Sequence, residues 1–215
     1  MNHVNKKTRI TASAIGVLLG LSGALNHGIF EILQGNILTN GFFIEAISEK
    51  HRLWLYGSEA AFTIVHNFLI TGILAVLTGL AIVFWSLKYL HSKHGATVFL
   101  SLLILLTLVG GGIGYIVLFI PTWAFATLIN KPLNWWNKTL SDSIKKRLSG
   151  IWIYCLVATV LSWLWVMQLG IFGYFPGQSN PDIIMGIVLV FLFLTVVLAC
   201  FTFICSIARD IEEHK

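Results

Sequence analysis

Five apolar stretches take up most of this chain: residues 10–34, 62–87, 97–129, 151–174 and 183–207. A membrane-crossing helix needs about 20 apolar residues, because each adds about 1.5 Å towards about 30 Å of hydrocarbon. A soluble fold of 215 residues has no place for this pattern, since surface-to-volume scaling would leave too much of it facing water. Composition agrees, with 57% hydrophobic and 11% charged residues, against about 25% charged in soluble domains. The expected fold is therefore all-α: one polytopic membrane bundle over residues 1–215, with the lipid bilayer as its surroundings.

The positive charges orient it. Of fourteen Lys and Arg, twelve fall in the N-terminal tail, after the second stretch, between Lys131 and Gly150, and in the C-terminal tail. Lys50 and Arg52 alone lie between the first two stretches. The positive-inside rule then makes both termini and 131–150 cytoplasmic, and 36–58 an outer loop. That loop carries Phe42, Phe43, Ile44, Ile47, Leu53, Trp54 and Leu55, and is expected to lie as a cap on the outer face. The first stretch also imitates a signal sequence, with Lys6, Lys7 and Arg9 ahead of it and Ser22, Gly23 and Ala24 inside it. Its apolar pattern continues to Leu33, so a retained helix is expected.

Parity decides the third stretch. Both its flanks carry cytoplasmic signatures, so it crosses an even number of times or not at all. Gly110, Gly111, Gly112 and Gly114 sit near its midpoint, where a reversal would need their backbone freedom. A short helical hairpin is expected, with a re-entrant loop or one kinked helix as alternatives. The spans are then six, near 10–34, 60–87, 97–110, 113–130, 151–172 and 183–207. Between the fourth and fifth, Leu133, Trp136, Leu140, Ile144 and Leu148 recur at helical spacing, which predicts an interfacial amphipathic helix over 132–148.

The net charge of +5 is divided by the membrane, and no basic stripe interleaved with aromatics invites nucleic acid. Cys155, Cys200 and Cys205 lie in apolar runs without a Cys-x-x-Cys pair, so no disulfide framework is indicated. No phosphate-binding loop, serine-hydrolase elbow or zinc-protease motif is present.

Chemistry concentrates in the first two spans. An ionisable group there is costly, so it tends to face protein or water and to have a partner. His27 and Glu31 are four residues apart and share a helical face that Gln34 continues, and Gly16, Gly20 and Gly23 lead into it as a packing stripe. Read as helix, Glu59, Thr63 and His66 share a second face, with Asn67 beside them. In an antiparallel pair the two glutamates come level, and so do the two histidines. The expectation is a buried polar site of His27, Glu31, Glu59, His66 and Asn67 near the outer leaflet. Such a site in a multi-pass cell-membrane protein would bind or conduct a proton, a metal ion or a small solute. Alternatively, His27, Glu31, Glu59 and His66 would ligate a metal, or the level histidines a haem b, in an enzyme or redox subunit. A third reading is an accessory subunit in which these residues only lock helices together.

Overall fold

The computed structural model describes residues 4–214. The chain is mostly helical, with seven helices and one two-stranded hairpin among the described residues. Helix α1 (Lys6–Gln34) is followed by strands β1 (Phe43–Glu45) and β2 (Ala60–Phe62), then by α2 (Phe68–Lys88), α3 (Gly95–Leu108) and α4 (Ile116–Ala126). Helices α5 (Asn134–Thr139), α6 (Asp142–Phe172) and α7 (Pro181–Glu213) complete it. Four of them, α1, α2, α6 and α7, are long and apolar enough to cross a membrane.

Close backbone approach joins α1 to α2. A Cβ on Gly20 would fall 2.6 Å from the Gly79 carbonyl oxygen, and one on Gly72 would fall 2.6 Å from that of Gly28. Of the sequence stripe, Gly16 and Gly20 face α2, whereas Gly23 faces Leu106 of α3. The core between these helices and α6 and α7 is apolar, with Ile15, Leu19, Ile82, Leu103, Trp163 and Phe203 fully buried.

The third apolar stretch reverses direction. Helix α3 ends at Leu108, α4 begins at Ile116, and the Asn130 side chain donates to the His91 carbonyl (2.9 Å), which brings the two ends of the hairpin together. Helix α3 has 14 residues and α4 has 11, about 21 and 17 Å at 1.5 Å per residue. The reversal itself is irregular backbone, and the cap satisfies it. Gly110 N–H donates to the Phe62 carbonyl (3.0 Å), Ile64 N–H to that of Leu108 (2.9 Å) and Ile113 N–H to that of Ala60 (3.3 Å). The tip of the hairpin thus lies along β2 as a third backbone segment. Unpaired peptide groups away from water cost several kcal/mol each, and this pairing removes that cost.

At the opposite end the first turn of α1 meets the last turns of α7. Asp210 of α7 accepts the N–H groups of Lys7 (2.8 Å) and Thr8 (2.9 Å) and the Thr8 hydroxyl (2.8 Å), closing the first turn of α1. Asn5 N–H donates to the Ile129 carbonyl (2.8 Å) and its side chain to that of Leu128 (2.6 Å), holding the exit of the hairpin there.

Two expected elements are corrected. Residues 60–67 do not begin the second helix: they form β2 and an irregular link, and α2 starts after Asn67, whose side chain accepts the Ile70 N–H (3.1 Å) as its cap. The interfacial helix over 132–148 is divided at Leu140. Ser141 is extended (ψ 154°) and caps Ile144 N–H, so 142–148 are the first turns of the 31-residue α6. Only the six-residue α5 lies apart, and neighbouring Leu133 and its own Trp136 pack on Ile207 and Ile211 of α7.

Candidate functional site

The site lies where the capped end of α1 meets the hairpin tip. Residues 23–28 of α1 form a π-helical turn, a local widening that often marks functional positions. It carries Asn26 and His27, and His27 is 2% exposed. Its Nε2–H donates to Glu59 Oε2 at 3.2 Å, while Glu59 Oε1 accepts the Gly114 N–H at 2.6 Å. Glu59 keeps 37% of its side chain open. Burial works to raise its carboxyl, but the charge and hydrogen bond of His27 and the Gly114 N–H outweigh it and hold the group below its ordinary value.

The glycines of the tip make this possible. Gly110, Gly112 and Gly114 lie against Glu31, His27 and Glu59 in that order. A Cβ on Gly112 would meet His27 Nε2 at 2.7 Å, one on Gly114 would meet Glu59 Oε1 at 2.5 Å, and one on Gly110 would collide with the Glu31 carboxyl. Gly110 (φ 95°) and Gly112 (φ 93°) are also left-handed, where a side chain is strained. Glu31 is fully buried, and neither of its oxygens has a hydrogen-bond partner in the protein.

Of the five residues expected in the site, the structure brings His27 and Glu59 into contact and leaves Glu31 beside them against the same tip. It does not bring His66, whose Nδ1 lies 3.4 Å from the Thr39 hydroxyl and whose ring packs on Phe42 at 4.9 Å. Asn67 is the cap of α2 and also donates to the Asn36 side chain (2.7 Å). The reason is the correction above: once 60–67 is not helical, Glu59 and His66 no longer share a face. The four-residue metal set therefore does not assemble, and no group of three His, Cys, Asp or Glu suited to a metal occurs among the described residues. The expectation of level histidines on two helices holding a haem b loses its basis, because His66 precedes α2.

What sequence reading missed is a cavity of about 390 Å³ beside this pair. Its walls are chiefly apolar, from Val166 and Met167 of α6 and Val188, Leu189 and Leu192 of α7. His27, Glu59, Asn26, Ser58 and Tyr115 supply its polar corner. Tyr115 packs edge-on against His27 (5.4 Å) and Trp163 (5.7 Å). The Ser58 hydroxyl is buried without a hydrogen-bond partner in the protein, and the Tyr115 hydroxyl is buried beside the Asn26 side chain. Asn26 could have been suspected from its place next to His27, and Tyr115 from its place just past the glycines. The cavity needs the folded cap and has no signal in the chain. Comparison with known protein families, with curated proteins and with solved structures finds no match to this chain.

Proposed function

We propose that this is a six-crossing cell-membrane protein that binds a small molecule in the cavity beside His27 and Glu59, near the outer leaflet. The observation that carries this reading is one polar corner in an apolar chamber of about 390 Å³, within the roughly 300–1,000 Å³ of small-molecule sites. His27 and Glu59 orient the polar group of the ligand, the unpartnered Ser58 hydroxyl offers a further hydrogen bond, Tyr115 closes the corner beside Asn26, and the walls take its apolar part. Both termini and 131–150 are cytoplasmic and the cap is external, on the strength of the Lys and Arg distribution. The test is ligand-induced thermal stabilisation of the purified protein against a panel of small alcohols and amines. Gly170 lines the cavity and a Cβ there would meet nothing within 4 Å, so Gly170→Leu adds apolar bulk at its wall. Stabilisation of the wild type that Gly170→Leu and Glu59→Gln both abolish is the expected outcome. Equal shifts in all three proteins would sink the reading.

A second reading, proton passage between Glu31 and the His27–Glu59 pair, is favoured by the burial of Glu31 without a partner beside the same tip. Proton flux into liposomes that Glu31→Gln stops would support it, and unchanged flux would end it.

A further inference from the structure

The cavity is roofed by the cap and walled on one side by α6 and α7. Its roof is cap segment 54–60, held down where the Trp54 indole N–H donates to the Gly170 carbonyl (2.8 Å) and the Tyr56 hydroxyl donates to Asp182 (2.5 Å). Deeper in the protein α6 and α7 are joined, with Thr159 hydrogen-bonded to Thr202 (2.8 Å) and Ser162 to Thr195 (2.5 Å). Towards the cap this changes. Val166, Met167 and Gly170 on one helix and Met185, Val188 and Leu189 on the other line the cavity. Leu189 also remains 58% exposed, in a belt with Val190 (58%) and Phe193 (67%) that only lipid suits. Leu189 therefore belongs both to the cavity lining and to the lipid-facing surface.

The polar corner restricts the head group. Neither Lys nor Arg lines the cavity, and Glu59 brings a carboxylate. An anionic head would meet that carboxylate with nothing to offset it except the His27 ring already bonded to it. The unpartnered Ser58 hydroxyl can both donate and accept, the Tyr115 hydroxyl beside Asn26 can make one more bond, and Glu59 accepts.

We infer that the ligand is a membrane-dissolved amphiphile with a hydroxyl or amine head and no negative charge, entering from the lipid between α6 and α7. The inference rests on the binding reading above and names its ligand class. The head lies at Glu59, Ser58 and Tyr115, and the chain leaves past Gly170 and Leu189 into the bilayer.

The test uses the full-length protein in phosphatidylcholine vesicles and two photoreactive probes, hexadecanol and palmitic acid, each with a diazirine on the chain. After illumination, labelled peptides are mapped by mass spectrometry. The expected result is about tenfold more labelling of residues 166–171 and 185–192 by the alcohol than by the acid, the size of one unfavourable charged contact. Labelling of lipid-facing Ile73 and Leu77 on α2 should be equal for both. Gly170→Leu and Val188→Phe should each bring the alcohol signal down to the α2 level. Equal labelling by the two probes, or labelling no greater than on α2, overturns the inference. If water-soluble butylamine stabilises the wild type but not Glu59→Gln while the alcohol probe labels neither segment, entry from lipid is wrong and the binding site stands. If no probe distinguishes wild type from Glu59→Gln, both readings fall.

Discussion

Three glycines at the tip of the hairpin meet three ionisable side chains, one each, and the consequences differ by position. Gly112 combines a left-handed backbone with contact to the His27 ring. Gly112→Ala should destabilise the protein by about 1–3 kcal/mol, read from the midpoint of denaturant unfolding in detergent, and should weaken ligand stabilisation further because His27 must shift. An unchanged midpoint would mean that the tip is not packed as described. Glu59 predicts a pH effect. Its carboxyl is held below its ordinary value in the folded protein. It therefore contributes stability that is complete above the ordinary carboxylate value and is lost as pH falls through the lower, folded one. Thermal midpoints measured from neutral pH downwards should show an acid limb that is shallower in Glu59→Gln. Parallel limbs in both proteins would remove the His27–Glu59 pair as its source. Much of this chemistry was legible in the sequence. His27 and Glu31 were marked by a four-residue spacing within an apolar run, and a real helix carries both. The spacing of Glu59, Thr63 and His66 carries no such information, because residues 60–67 are not helical.

At the level of elements, that difference has a physical source. Residues 60–67 are apolar enough to extend the second span, and a short apolar run does not distinguish a buried strand from a helix turn. Asn67 is a helix-start signal, a side chain able to cap the first turn, and its polar character belongs to that cap. Ser141 followed by Asp142 is the same signal at the start of α6, overshadowed by the amphipathic spacing on both sides. What no spacing could convey is pairing between distant segments, such as β2 with residues 108–113. The junction of α1 with α7 is of this kind. Asp210 accepts three hydrogen bonds from Lys7 and Thr8, with a carboxylate suited to the positive end of the α1 dipole. Asp210→Ala should cost about 1.5–3 kcal/mol and speed amide hydrogen exchange at residues 7–10 more than at 20–30. Uniform exchange across α1 would contradict a local cap.

For the whole molecule, charge distribution and chain geometry agree on which parts lie together. The first turn of α1, the exit of the hairpin and the end of α7 meet through Asn5, Lys7 and Asp210, and these are the segments that the basic residues group on one side. The proposed topology predicts that Lys50→Cys reacts with a membrane-impermeant maleimide in intact cells, and that Lys146→Cys reacts only after permeabilisation. Both positions are exposed, and the reverse pattern would overturn the orientation. The number of long apolar segments, the reversal at the glycines and the polar character of α1 near His27 could be read from residue order alone. The cavity could not, because five separate parts of the chain build it: α1, the cap, the hairpin tip, α6 and α7. The pairing of β2 with the hairpin tip also bears on synthesis. The cap is translated first and presents an open strand edge at residues 60–64 until residues 108–113 emerge to meet it. The hairpin is thus the dependent partner: its tip finds backbone partners in a cap that has already been made, so the order of assembly follows the order of translation.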